Sequence, residues 1–360
     1  RPLISFVTSL RPYAGGQIAP DGVPEFIRQI AAIGKEHRQV DVLLVSYGGD
    51  STVAWRMVSL LRERFDHIAV LLPYTAYSAA TLVALGANSI VMHPFANLGP
   101  VDPQIPMTKS YDGQEPVVTY FGYEDLVHFL GFVREEVGIT DQQELGRAFE
   151  LLSKDVGAIP IGSAKRSSQL SLSLGAKLLG LHMEDKDEAR AIAEALNKAF
   201  FHHGYPVGRH EARQIKLPIE DPPAELEELL WRVWLSLEEE MACNVPFNPL
   251  EIVLSNPEAA AALSHVQQVQ MPANLPPHVA DQVYNNVLQK SVGVTQVPTA
   301  RFELFQATIE STRGRSEFRS DGIINVTRLP NMTYSIAVNT ISSRWTFHSD
   351  SATMTGNSEH

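Results

Sequence analysis

Cysteine is almost absent from this sequence, because Cys243 is the only one among 360 residues. A disulfide framework and a cysteine zinc cluster are therefore excluded within the chain, and a reducing compartment is indicated. Basic residues are also few, since 29 Lys and Arg stand against 41 Asp and Glu and give a formal net charge of −12. A chain this acidic is not expected to bind nucleic acid or an anionic membrane surface.

Long apolar segments are missing as well. No uninterrupted run approaches the ~20 apolar residues that span a bilayer, and the start of the chain lacks the features of a signal peptide. We therefore expect a cytoplasmic protein without a membrane span. The sequence has neither a G-x-G-x-x-G motif nor a Walker-type phosphate-binding loop, and its histidines lack an HExxH spacing, so we expect no cofactor and no metal.

What the sequence does contain is an alternation of strand and helix patterns over its first hundred residues. Its 44% apolar composition is sufficient for a sizeable core. This alternation predicts an α/β fold with a parallel sheet. Strands are predicted at 2–9, 40–46, 68–72 and 89–92, and helices at 24–37, 52–65 and 77–86.

The pattern changes along the rest of the chain. Helices are predicted at 124–137, 141–156, 163–179, 186–201, 211–215 and 223–241, and strands at 302–310, 316–328 and 332–347. Stretches rich in Pro and Asn separate these two parts. We therefore divide the chain into a domain at 1–243, a linker with helices at 244–294 and a small β-rich module at 295–360, which we expect to be separable.

Two short motifs place small residues where a substrate can approach the backbone. Gly48 and Gly49 follow a strand and could present N–H groups to an oxyanion, whereas Ser78 follows the next strand and opens a helix of small residues. The alternative is that the glycines only turn the chain and Ser78 only caps the helix. Their positions, ~30 residues apart in consecutive strand-helix units, favour a shared site.

These motifs resemble those of the Clp protease and crotonase superfamily, and within it the SDH (serine dehydrogenase proteinase) family, which is related to the signal peptide peptidase SppA. The resemblance covers roughly residues 2–241 and implies repeated ββα units, a serine peptidase activity on peptides or proteins, and a homo-oligomer. The segments that carry it are 46–49 (SYGG), 76–87 (AYSAATLVALGA), 98–104 (LGPVDPQ) and 202–212 (HHGYPVGRHEA).

The resemblance also implies roles for individual residues. Ser78 matches the nucleophile, and Ala79 together with Gly48 or Gly49 matches the backbone donors of the oxyanion hole. Family members commonly carry Pro where this chain has Tyr47, and Gly where it has Ala79. An alanine is tolerable there because only its N–H acts, but Tyr47 is expected to narrow the cleft or fill a specificity pocket.

The general base is less clearly indicated. A serine needs a neighbour to take its proton, either a histidine or a lysine whose pKa is lowered by burial. Clp proteases use a histidine, but the matching position falls near Val101 and Asp102, whereas SppA-type enzymes use a lysine from a later helix. Lys165 is therefore the leading candidate. The other candidates are Lys109, His202 and His203.

Two further functions remain open at the level of the sequence. A crotonase-like acyl-CoA enzyme would use the same oxyanion donors, but that class needs carboxylates rather than a serine on the helix after the second motif. A catalytically silent oligomeric scaffold would use the C-terminal module to recruit a partner protein. The scaffold remains an alternative because the sequence does not identify one residue clearly as the general base.

Overall fold

Strands and helices alternate over the first hundred residues, and the predicted α/β class is confirmed. The computed structural model describes residues 1–109, 116–198, 203–265, 270, 276–291 and 293–349. The first strands are β1 (Leu3–Thr8), β2 (Gln39–Val45), β3 (His67–Leu72), β4 (Thr75–Ala76), β5 (Ser89–Met92) and β6 (Asn97–Leu98). The helices between them are α1 (Val23–Ala32), α2 (Ser51–Arg64) and α3 (Ala79–Leu85).

β1, β2, β3 and β5 form the parallel centre of the main sheet. Their register pairs Phe6 with Leu44, Val42 with Val70, and Val70 with Ile90. Val42 and Leu44 lie on one face of the sheet and are both 0% exposed. Leu43 lies on the opposite face and is also buried. Burial on both faces explains why the β2 sequence is almost continuously apolar.

The middle of the chain is mainly helical. Its first element was not predicted: β7 (Ile105–Lys109) and β8 (Val117–Phe121) pair as an antiparallel hairpin whose side chains are half-buried or exposed over most positions, so the apolar pattern is weak. The helices are α4 (Tyr123–Gly131), which continues into a π-helical turn (Phe132–Glu136), α5 (Gln142–Val156), α6 (Ala158–Leu179), α7 (Lys186–Lys198), α8 (Arg209–Gln214) and α9 (Ala224–Glu240). Two short strands, β9 (Val207–Gly208) and β10 (Ile219–Glu220), flank α8.

The C-terminal part contains strands in all three segments where they were predicted. Among the described residues of this part, the helices before them are α10 (Pro249–Leu254), α11 (Pro257–Ser264) and α12 (Pro277–Ser291). The strands are β11 (Thr295–Gln296), β12 (Ala300–Ser311), β13 (Gly314–Arg328) and β14 (Tyr334–Ser349). None of the helices in the described ranges is both long enough and apolar enough to cross a membrane.

The C-terminal strands do not form a sheet of their own. β12 pairs antiparallel with β1, so the main sheet has the order β10-β5-β3-β2-β1-β12-β13-β11, with β14 beside β13. Ile309 of β12 lies opposite Phe6 and is fully buried in the same core cluster as Phe6 and Phe26. The Gln29 amide also donates to the Ile309 carbonyl at 3.2 Å. The residues at 300–311 therefore complete the core of the first domain rather than packing apart from it.

Candidate active site

Ser78 occupies an unusual backbone conformation at the N-terminus of α3. Its φ of 53° and ψ of −117° lie in a region that residues with a side chain rarely adopt. The Ser78 N–H donates to the Pro100 carbonyl at 3.2 Å. Although Ser78 holds the N-cap position, its side chain makes no capping hydrogen bond. A simple capping role therefore does not account for this serine.

Gly48 and Gly49 bring the end of β2 against Ser78. Both have positive φ, of +103° and +146°. A Cβ atom on Gly48 would lie 2.6 Å from the Tyr77 carbonyl oxygen and 3.0 Å from the Ala79 nitrogen, and a Cβ atom on Gly49 would overlap the backbone of Ile18. Both positions therefore require glycine, because a side chain at 48 would push the Ser78 segment away and a side chain at 49 would collide with Ile18.

Two N–H groups in the glycine motif and the serine motif have no hydrogen-bond partner among the described residues. The Gly48 N–H donates to Ser46 Oγ at 3.0 Å and is therefore engaged. Within the described ranges, the N–H groups of Gly49 and Ala79 have no acceptor. Ala79 is the first residue of α3, where an N–H has no partner inside the helix and the helix dipole favours negative charge. Of the three predicted donors, Gly49 and Ala79 thus have an N–H group that is available to a ligand, and Gly48 does not.

A cavity of about 210 Å³ begins at Pro100, the residue whose carbonyl binds the Ser78 N–H. One of its walls carries an ion pair between Asp102 and His203, with 2.8 Å between Oδ1 and Nδ1. The cavity is lined by Pro100, Asp102, Pro103, Gln104, Tyr120, Gly122, Tyr123, Glu124, Asp125, His128, Ser168, Asn197 and His203.

Asp102 holds His203 in a defined orientation. The hydrogen bond that Asp102 accepts from His203, together with the charge of Asp102, raises the pKa of His203 above the ordinary histidine value, although burial opposes this shift. Gln104 donates to the other oxygen of Asp102 at 3.1 Å. A histidine whose Nδ1 is bound to a carboxylate keeps its Nε2 available to accept a proton, which is the arrangement that a general base requires.

The remaining candidate bases lie in different surroundings. Lys165 is exposed, and its Nζ is 5.9 Å from the centroid of the Tyr123 ring. Lys109 forms an ion pair with Asp155 at 2.6 Å. His202 lies outside the described residues. His203 thus lines the cavity directly, whereas Lys165 lies near it through its contact with Tyr123, which is also a lining residue.

Buried polar side chains of α6 and α7 hold the segment that carries Asp102. Ser171 Oγ and Asn197 Nδ2 both donate to the Val101 carbonyl, at 2.5 Å and 3.3 Å. Ser168 Oγ in turn donates to Asn197 Oδ1 at 3.1 Å. Ser168, Ser171 and Asn197 were not predicted from the sequence. The sequence feature that could have identified the two serines is their spacing, since Ser168 and Ser171 lie three residues apart on an otherwise apolar face of α6.

In the described part of the chain, no group of three or more His, Cys, Asp or Glu side chains is placed to hold a metal ion. The described residues supply a strained serine near two free N–H groups and, along the cavity that begins at Pro100, a histidine-carboxylate pair. This combination belongs to enzymes that transfer acyl groups to a serine.

Comparison with known proteins agrees with this class. Residues 18–112 match the family described as ClpP-like SDH-type serine proteinase, and this segment contains Gly49, Ser78 and Asp102. Over this segment the chain is similar to that family, and the resemblance predicted from the sequence motifs is confirmed.

The relatives of this chain share only part of their length with it. The chain is 25% identical over 198 residues to the uncharacterized protein MJ0137 of Methanocaldococcus jannaschii, which covers 54% of this chain and 58% of that protein. It is 24% identical over 207 residues to MJ1495 of the same organism, covering 57% and 60%. The chain thus spans less than two thirds of the length of these curated relatives.

A solved structure is also similar. It is a variant of the 1510-N membrane-bound stomatin-specific protease, with 15% sequence identity and a TM-score of 0.34 over 63% of this chain and 84% of that chain.

Proposed function

We propose that this chain is a serine peptidase in which Ser78 is the nucleophile. The observation that carries the proposal is the strained backbone of Ser78 beside two free N–H groups, those of Gly49 and Ala79. Strain of this kind costs about 1–3 kcal/mol and persists where the surroundings enforce it, typically at functional sites. Here Gly48 packs directly against the serine from the neighbouring strand-helix unit.

The reaction follows from these positions. Ser78 Oγ attacks the carbonyl carbon of a peptide, its proton passes to the base, and the N–H groups of Gly49 and Ala79 bind the oxygen on which negative charge collects. Collapse of this intermediate breaks the C–N bond, and the base returns the proton to the leaving amine. Water then attacks the acyl-enzyme in the same way and releases the carboxylate.

His203 is the proposed base, with Lys165 as the second candidate. The contact between His203 and Asp102 favours the histidine, because the carboxylate fixes the ring and stabilises the imidazolium that forms. Asp102 lies two residues beyond Pro100, whose carbonyl binds the Ser78 N–H. Lys165 is exposed in a single chain, so association of chains would have to bury it before it could act like the lysine of SppA-type enzymes.

The test of the nucleophile is labelling by a fluorophosphonate probe, which forms a covalent bond with activated serines. We expect the wild-type protein to be labelled and Ser78→Ala not to be, with unchanged thermal unfolding. Ser255→Ala, which removes an exposed serine after α10, is the matched control and should be labelled normally. Absence of labelling in the wild type would instead favour the scaffold.

The base is tested with His203→Gln and Lys165→Met. If His203 is the base, its substitution should slow labelling by a factor of at least about a thousand, since nucleophile and base act as a unit. Lys165→Met should then be labelled at nearly the wild-type rate. The reverse pattern would assign the proton transfer to Lys165.

A further inference from the structure

Glu124 has a carboxylate oxygen that is buried without a partner. It lies in the first turn of α4 and lines the cavity that begins at Pro100. Its Oε1 has no hydrogen-bond partner among the described residues. A buried carboxylate oxygen without a donor is costly, so a carboxylate in this state at the wall of a cavity would be stabilised by a ligand that donates to the carboxylate from the cavity side.

The other carboxylates of the cavity already have partners. Asp102 binds His203 and Gln104, and Asp125 accepts a hydrogen bond from the Gly122 N–H at 2.6 Å. No Lys or Arg is among the described residues that line the cavity. Glu124 is therefore the acid whose charge is left for a ligand to neutralise.

Aromatic side chains of the same cavity suit a cation. Tyr120 and Tyr123 both line it, and the ammonium group of Lys165 already lies over the Tyr123 ring. A cation is attracted to the face of such a ring, and more strongly where water is excluded. A carboxylate and aromatic rings together are a combination that binds ammonium or guanidinium groups.

The position of the cavity gives this cation a role. Because Pro100 both lines the cavity and binds the Ser78 N–H, a peptide held at Ser78 has the cavity within reach of a nearby side chain. We propose that Glu124 binds the cationic side chain of a lysine or arginine in the substrate, close to the bond that is cleaved. This inference rests on the proposed function in assigning the cation to a peptide.

The first test compares cleavage of fluorogenic peptides that differ in one residue. Arginine is compared with citrulline, its uncharged isostere, and lysine with norleucine, at the position before the reporter group. We expect the wild-type protein to have a kcat/KM about tenfold or more higher for the charged member of each pair, since a hydrogen bond to a charged group has that effect. Glu124→Gln should lose this preference and still cleave the neutral peptides.

The control variant is Glu150→Gln, which removes an exposed carboxylate of α5 that pairs with Lys154. It should keep the preference. Equal cleavage of both members of each pair by the wild type, or a preference that survives in Glu124→Gln, would overturn the inference.

The second test does not depend on catalysis. Binding of p-aminobenzamidine, a planar cation, is measured by fluorescence on the Ser78→Ala protein with and without Glu124→Gln. We expect binding that weakens about tenfold or more in the double variant. If binding depends on Glu124 but the wild-type protein is not labelled by fluorophosphonate, the cation site is retained and the peptidase is rejected. Absence of binding, or binding unaffected by Glu124→Gln, would reject the cation site.

Discussion

A Cβ atom on Gly48 would lie 2.8 Å from the Cβ atom of Ser78. Gly48 follows β2, and Ser78 follows the neighbouring parallel strand β3 and the short β4, whose Ala76 bridges to Ser46, so the carboxyl ends of these strands bring the two motifs together at one edge of the sheet. Glycine at position 48 thus permits the approach, and the free N–H of Gly49 follows in the same loop.

Gly48→Ala should therefore inactivate the site while leaving most of the fold intact. The new methyl group has to push the Ser78 segment away, and a displacement of about 1 Å at a reacting group lowers rates by about a hundredfold. The measurement is the rate of fluorophosphonate labelling, together with thermal unfolding.

Gly138→Ala is the matched control for that substitution. Gly138 also has a positive φ, of +80°, but a Cβ atom there would meet nothing within 4 Å. It should carry the conformational cost, of about 1 kcal/mol, without a loss of labelling. Equal labelling of the two variants would show that the contact between residues 48 and 78 is not needed for reactivity.

The proximity of Gly48 and Ser78 could be predicted from the sequence because consecutive βα units place their loops at one sheet edge. The ion pair between Asp102 and His203 could not, because it joins residues 101 positions apart in the chain and depends on how α6 and α7 pack. The pairing of β12 with β1 could not be predicted either. An alternating apolar pattern identifies a strand and its buried face but not its neighbour.

Asp102→Asn should shift the pH dependence of labelling. Asp102 raises the pKa of His203 through their hydrogen bond, and only the neutral imidazole can accept the serine proton. In the wild type, labelling should increase with pH through this raised pKa, above the ~6.5 of a free histidine. In Asp102→Asn the rising limb should move to lower pH, with a lower plateau because the ring is no longer fixed.

Stability provides an independent readout of the same ion pair. A histidine whose pKa is raised by folding contributes stability below its unfolded pKa, and this contribution is lost as the pH rises through the folded value. Asp102→Asn should therefore lower the free energy of unfolding more at pH 5.5 than at pH 9. The charged groups Glu124 and Asp125, and His128, line the same cavity and remain in the variant. A pH-independent effect would contradict the assigned pair.

Ile309→Ala should destabilise the whole protein rather than the C-terminal strands alone. Ile309 is fully buried opposite Phe6, so its truncation leaves a cavity at the centre of the sheet. The expected loss is about 2–5 kcal/mol in a single cooperative denaturant transition. Ile159→Ala, at a position that is 83% exposed, should change stability by less than about 0.5 kcal/mol. Two separate transitions would favour the separable module expected from the sequence.

A homo-oligomer is expected from the family resemblance, and β14 offers an exposed strand edge at which two copies of the chain could pair. This strand pairs with β13 along one side, and no other described strand pairs with it, although Ile336 and Val338 are 42% and 43% exposed. The stretch 334–343 contains no charged residue, and an exposed apolar edge without charges is prone to pair with another chain. We therefore expect light scattering to give a multiple of the 39.7 kDa chain mass at micromolar concentration.

The double variant Ile336→Lys, Val338→Lys should move that mass toward 39.7 kDa, because two lysines on the edge strand oppose pairing with a second copy. Leu151→Lys is the matched control, since it places a charge at a side chain that is 68% exposed on α5, a helix outside the main sheet. It should leave the mass unchanged. A wild-type mass near 39.7 kDa would contradict self-association, and an oligomer that persists in the double variant would exclude β14 as the interface.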